Sequence, residues 1–202
     1  MRIACIGGGP AGLYFSISMK LRDPSCEVVV LERNKPDDTF GWGVVLSDET
    51  LENLHLNDPI SAASIRKNFA YWDDIALHFR GERLVSTGHG FCGIGRKKLL
   101  MLLQERAHSL GVDLRYETEV ESAESYRNEY DVVVANDGLN SKTRMLYKDT
   151  FKPAVDERLC QFVWLGTHQT FKDAFTFIFE ETEHGWVWVH AYQFDGNTAT
   201  FI

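Results

Sequence analysis

The sequence predicts an α/β fold with a parallel half and an antiparallel half, and three observations predict it. An apolar stretch, a glycine-rich turn, an apolar helix and a second apolar stretch follow one another within residues 2–31, which is a βαβ unit. A clear helix beginning at Arg96 and further apolar strands resume that pattern. From about residue 160 the chain changes to long aromatic stretches separated by turn residues, the texture of an antiparallel sheet.

Taken in order, residues 2–6 form the first strand and residues 7–12 the turn. Leu13, Phe15, Ile17, Met19 and Leu21 are expected on the buried side of a helix that ends before Asp23-Pro24, since proline pushes its predecessor out of the helical region. Val28-Val29-Val30-Leu31 runs without alternation, as a strand covered on both faces does. After a polar, turn-rich segment comes Gly41-Trp42-Gly43-Val44-Val45-Leu46, and Ser47 is placed to cap a helix whose first turn carries Asp48 and Glu49. Residues 75–87 read as two strands around Arg80-Gly81, a hairpin belonging to another layer. The helix from Arg96 carries Leu99, Leu100, Leu102, Leu103, Ala107 and Leu110 at helical spacing and ends at Gly111. Strands are expected at Val112, Leu114 and Tyr116, at residues 131–135, 162–165, 175–179 and 186–192, and finally at residues 200–202.

The composition excludes several function classes. A net charge of −8 repels a phosphate backbone, so nucleic acid is not an expected partner. No apolar stretch reaches the roughly 18–20 residues of a bilayer span, and no basic segment with a long apolar core opens the chain; a soluble, cytoplasmic protein away from membranes is expected. Cys5, Cys26, Cys92 and Cys160 are scattered, and His78, His89, His168, His184 and His190 fall in no ligand spacing, so neither disulfides nor a metal is expected.

The chemistry is concentrated in the turn. Gly7, Gly9 and Gly12 fit G-x-G-x-x-G between a strand and a helix: the first glycine permits the tight turn, the second lets a diphosphate approach the backbone, and the third lets helix and strand pack closely. Free N–H groups and the positive end of the helix dipole then face the anion. Glu32, twenty residues after Gly12, ends the second strand, where a carboxylate accepts hydrogen bonds from an adenosine ribose and repels a 2′-phosphate. The loop therefore suits FAD or NAD rather than NADP. The alternative is a tight turn with Glu32 as a solvated strand end.

Gly9-Pro10-Ala11-Gly12, Glu32-Arg33, Arg96 and Asp137-Gly138-Leu139-Asn140-Ser141-Lys142-Thr143-Arg144 together resemble the FAD-dependent aromatic hydroxylases of the para-hydroxybenzoate hydroxylase fold. The Gly41–Leu51, Trp72-Asp73-Asp74 and Gly88–Arg96 stretches are similar to the salicyloyl-CoA 5-hydroxylase and 2-aminobenzoyl-CoA monooxygenase group within it, and the resemblance runs along essentially the whole chain. It implies a Rossmann-like FAD-binding domain (residues 1–70 and 90–158) with the start of a mixed antiparallel substrate domain (residues 71–89 and 159–202), truncated. The family's later Gly-Asp motif, which helps hold the ribityl and phosphate groups, does not occur before Ile202. The expectation is thus an N-terminal part of a monooxygenase, holding FAD weakly or not at all by itself. Two alternatives stay open, a catalytically inactive fragment and an NAD-dependent dehydrogenase.

The resemblance also implies NADH or NADPH as reductant, dioxygen as oxidant, and a small, electron-rich aromatic substrate carried as a CoA thioester; it is silent on oligomeric state. Cofactor contacts are expected from Gly7, Gly9, Pro10, Ala11, Gly12, Glu32, Arg33, Arg96, Val120, Asp137 and Gly138. Arg96 is the strongest side chain among them, because a guanidinium clamps diphosphate oxygens with parallel hydrogen bonds and a cation is otherwise disfavoured at a helix start. Val120 matches the position whose backbone meets adenine, while the pattern alone makes it a strand residue. Asp137 is expected near the diphosphate and Arg144 near the reductant's phosphates. No catalytic side chain is evident; His190 and Tyr192 share one face of an aromatic strand with Trp186 and Trp188 and are the substrate-side candidates.

Overall fold

The computed structural model describes residues 1–202. In chain order its elements are β1 (Arg2–Ile6), α1 (Pro10–Arg22), β2 (Glu27–Leu31), β3 (Gly43–Ser47), α2 (Asp48–Asn57), α3 (Pro59–Arg66), β4 (Ala70–Trp72), β5 (Ile75–Phe79), β6 (Glu82–Ser86), β7 (Phe91–Gly95), α4 (Arg96–Ser109), β8 (Asp113–Arg115), a short 3-10 turn (Ala123–Tyr126), β9 (Val132–Ala135), α5 (Lys142–Leu146), α6 (Lys148–Phe151), β10 (Leu165–Thr167), β11 (Phe175–Thr182), β12 (Gly185–Gln193) and β13 (Ala199–Phe201). The chain divides into two compact units, Met1–Thr39 with Leu100–Leu159, and Phe40–Leu99 with Cys160–Ile202.

The first unit is built on a parallel sheet in the order β8-β2-β1-β9. Ile3 to Ile6 and Val28 to Leu31 are buried throughout, as the unbroken apolar runs require of strands at the centre of a parallel sheet. Ala4, Val29 and Leu31 form a core cluster against which Val120, Tyr126 and Tyr130 pack. Helix α1 buries Gly12, Leu13, Ser16 and Ile17. Phe15, Met19 and Leu21 are only half-buried, because positions 13, 15, 17, 19 and 21 follow a strand's period and a helix turns them onto different sides. The residue before Pro24 is extended and ends the helix, as expected.

The second unit carries two sheets. One is antiparallel, β3-β7-β4; the other has the order β10-β13-β12-β11-β5-β6 and is antiparallel except where β5 and β11 run side by side in parallel. Trp72, Phe175 and Tyr192 form its core, with Val45, Ala70, Phe91, Phe177 and Ile202 packed around them. Ser47 caps α2 by accepting the Thr50 N–H, and the hairpin of β5 and β6 joins the aromatic strands.

Residues 40–70 and 90–99 are grouped by their contacts with the aromatic strands. The reason is long-range pairing: β3 bonds to β7, the Gly43 N–H donates to Thr200 Oγ1 at 3.0 Å, and the Tyr192 hydroxyl donates to the Gly43 carbonyl at 2.8 Å. The strand expected at residues 162–165 begins only at Leu165, where pairing with β13 starts. Phe162 stays 77% exposed: apolar composition supplies β propensity but no partner strand. No helix is long and apolar enough to cross a membrane.

Candidate functional site

The glycine turn sits where the first unit's connections diverge. From β1 the chain crosses through α1 to β2 on one side, while β9 lies on the other, so the carboxyl end of β1 is a topological switch point where open α/β sheets bind ligands. The Gly7 N–H donates to the Leu31 carbonyl at 2.8 Å and the Asn136 N–H to the Ile6 carbonyl at 2.7 Å, which ties the ends of all three strands together.

Each glycine is required for a different reason. Gly7 has φ +103°, and a Cβ there would lie 2.3 Å from the Asn136 carbonyl oxygen. At Gly12 an added Cβ would lie 2.1 Å from the Gly7 carbonyl oxygen, so this glycine is what lets α1 meet the turn. Gly9 differs from both. It is extended at φ −72° and ψ 179°, a conformation open to any L residue, and an added Cβ would meet nothing within 4 Å. Neither backbone strain nor internal packing demands a glycine at this position. The space over it is what a ligand approaching the backbone needs.

The start of α1 is prepared for an anion. Gly9 is its N-cap with no side-chain cap, Pro10 occupies the first turn, and no acidic residue stands there. The first-turn N–H groups of Ala11 and Gly12 therefore have no carboxylate of the helix's own first turn beside them. Glu32, half-buried after β2, closes the other side: its Oε2 accepts the Gly8 N–H at 2.7 Å and its Oε1 the Asn34 N–H at 2.8 Å. A carboxylate offers about four lone-pair sites, so a ribose diol can still be accepted. Arg33 is exposed, and its charge acts on Glu119, whose carboxyl the Lys142 ammonium already holds below the usual range.

Val120 lies in the loop after β8 instead of in a strand, and its side chain packs on the Ala4, Val29 and Leu31 cluster. It borders a hollow of about 470 Å3 shared with Ala123, Asn140, Ser141 and Thr143. A larger hollow of about 620 Å3, beside Gln104, His108, Leu114 and Tyr116, carries none of the expected cofactor-binding residues.

The Asp137–Arg144 phrase folds on itself. Gly138 has φ +82°; Asp137 accepts the Ser141 hydroxyl at 2.6 Å and the Thr143 N–H at 3.1 Å, while Ser141 Oγ accepts the Arg144 N–H and caps α5. Burial pushes the Asp137 carboxyl up, but the Ser141 and Thr143 hydrogen bonds outweigh it and leave the pKa below the ordinary range. Arg144 donates to the Leu139 carbonyl. Both carboxylate oxygens thus serve the loop's own geometry. The residue that meets the glycines directly is Asn136, which sequence reading passed over; its position one step past β9, beside Asp137-Gly138, was the only signal.

Arg96, His190 and Tyr192 belong to the second unit. Arg96 opens α4, its N–H donating to the Trp42 carbonyl at 2.7 Å and its guanidinium lying 4.6 Å from the Phe40 ring centroid. Lys97 and Lys98 follow and no acid stands in this first turn, an arrangement the helix dipole opposes unless an anion is close. His190 is half-buried, edge-on to Trp188 at 4.3 Å and Phe177 at 5.0 Å, and burial pushes its pKa down toward the neutral imidazole. Tyr192 is 5% exposed, its hydroxyl donates to the Gly43 carbonyl, and burial raises its pKa.

The chain is similar to known proteins along its whole length. The chain is 43% identical over its whole length to a salicyloyl-CoA 5-hydroxylase of a Streptomyces species and 33% identical to the protodeoxyviolaceinate monooxygenase of Chromobacterium violaceum. It spans 39% and 54% of those two relatives. Among solved structures, the tetrameric form of 2-methyl-3-hydroxypyridine-5-carboxylic acid oxygenase superposes with a TM-score of 0.78 at 18% identity, covering 99% of this chain and 57% of that one, a likeness of fold. The open space over Gly9, the uncapped start of α1 and the Glu32 carboxylate fit the diphosphate and ribose of FAD. With residues 1–200 matching the family described as FAD binding domain, the chain belongs to that family, and FAD is its cofactor.

Proposed function

We propose that this chain is the FAD-binding part of a monooxygenase that uses NADH or NADPH and dioxygen to hydroxylate an activated aromatic ring, held as a CoA thioester such as salicyloyl- or 2-aminobenzoyl-CoA. The observation that carries the reading is Gly9, a glycine that neither strain nor packing requires, at the mouth of an uncapped helix. The hydroxylase and thioester parts draw support from the names of the relatives.

Bound FAD supplies electron transfer from the nicotinamide and activation of dioxygen. The chain's own groups bind and orient. The N–H groups of Ala11 and Gly12 meet the diphosphate, Glu32 accepts the ribose hydroxyls, and Arg96 neutralises diphosphate charge. Val120 offers its backbone to the adenine, and Asp137 with Gly138 fixes the loop behind the turn. His190, kept neutral among aromatic rings, is the substrate-side residue. Tyr192 acts from behind by holding Gly43.

The test is substrate-stimulated NADH and NADPH oxidation by the full-length protein, comparing salicyloyl-CoA and 2-aminobenzoyl-CoA with the free acids. Stimulation by a thioester alone is expected. Equal stimulation by the free acids removes the thioester part, and no stimulation by any aromatic compound removes the hydroxylase.

A further inference from the structure

We propose that Phe40 is a positioning residue for Arg96, presenting the guanidinium to the diphosphate of FAD; this rests on reading Arg96 as a diphosphate ligand. Phe40 is a large apolar side chain left 72% exposed, yet its ring carries the Arg96 guanidinium 4.6 Å from its centroid. The arginine meets this segment at its backbone, through the Trp42 carbonyl, and at its head group, through the Phe40 ring two residues earlier.

The segment that supplies both contacts is itself locked. Gly41 has φ +81°, and a Cβ there would lie 2.5 Å from the Trp164 ring. In return, a Cβ on Gly166 would lie 2.5 Å from the Trp42 ring. Each tryptophan is seated on a glycine of the opposite segment, so Phe40 to Trp42 and Trp164 to Gly166 clamp one another. An arginine side chain has many rotamers, and restricting them before the ligand arrives removes part of the entropy lost on binding.

The experiment is equilibrium titration of the full-length apoprotein with FAD, followed by flavin fluorescence, for Phe40→Ala, Phe40→Leu, Phe40→Trp, Arg96→Ala and the Phe40→Ala/Arg96→Ala double variant. For a solvent-exposed cation–π contact, Phe40→Ala and Phe40→Leu are each expected to weaken FAD about two- to fivefold. Phe40→Trp should restore wild-type affinity, and Phe40→Ala should have no further effect once Arg96 is gone. Wild-type affinity in Phe40→Leu, or an undiminished Phe40→Ala effect in the Arg96→Ala background, overturns the proposal. If Arg96→Ala itself binds FAD as the wild type does, the reading of Arg96 fails. If Arg96→Ala is weak and Phe40→Ala is not, only the positioning role fails.

Discussion

Replacing the glycines of the turn one at a time separates ligand space from packing space. Gly9→Ala places a methyl where nothing lies within 4 Å, on a backbone that alanine adopts without strain. Stability should change little, because the gain of about 0.4–1 kcal/mol from the lower entropy of the unfolded chain is offset by alanine's poorer fit at a helix N-cap. At about 2–4 °C per kcal/mol for a protein of this size, Tm should stay within about 2 °C of the wild type. Gly12→Ala, with its Cβ 2.1 Å from a backbone oxygen, forces α1 away from the turn. Overpacking of that kind costs about 1–3 kcal/mol, so Tm should fall by about 2–12 °C. FAD affinity should reverse the order of interest. The Gly9→Ala methyl stands between the diphosphate and the N–H groups, and each hydrogen bond to a charged group lost there costs about 1.5–3 kcal/mol, or about 10- to 150-fold in Kd. Thermal melts and FAD titrations on the same preparations decide the matter. Wild-type FAD affinity in a fully folded Gly9→Ala protein would refute the cradle, and a melt as low as that of Gly12→Ala would refute the claim of open space.

Two further outcomes concern protons. Asp137 has a native pKa below its ordinary 3.8, so its hydrogen bonds contribute stability that is complete above that value and is lost as the pH falls through the depressed native one. Ser141→Ala removes one of those bonds and a helix cap together; NMR titration of the carboxyl carbon should show the Asp137 midpoint rising, and an unmoved midpoint would contradict the assignment. His190 is also depressed below its ordinary 6.5, here by burial, so its contribution is present above 6.5 and disappears as the pH falls through the native value. Its ring protons should titrate with a midpoint under 6.5, and the melting temperature of the wild type should fall toward acid relative to that of His190→Gln; a midpoint at or above 6.5 would show the ring to be solvated.

Much of the first unit was legible in the residue order because its signals are local. Gly7, Gly9 and Gly12 announce the turn, the unbroken valines of β2 announce a strand covered on both faces, and Glu32 follows at the distance a βαβ crossover sets. The buried face of α1 was misread where a run of alternate apolar residues was followed instead of the helical period, and the residues at 162–165 were misread because pairing begins only at Leu165, opposite β13.

What the sequence by itself determined is therefore the α/β class, the position of the dinucleotide turn and the acid beside it, each encoded within a few tens of residues by backbone preference and periodicity. Tertiary structure alone decided that Asn136 is the wall of the turn, that Tyr192 supports Gly43, and that Trp42 and Trp164 each rest on the other segment's glycine. Those contacts join residues more than a hundred positions apart. They depend on strand order and register, which burial of the whole core selects and no local propensity specifies.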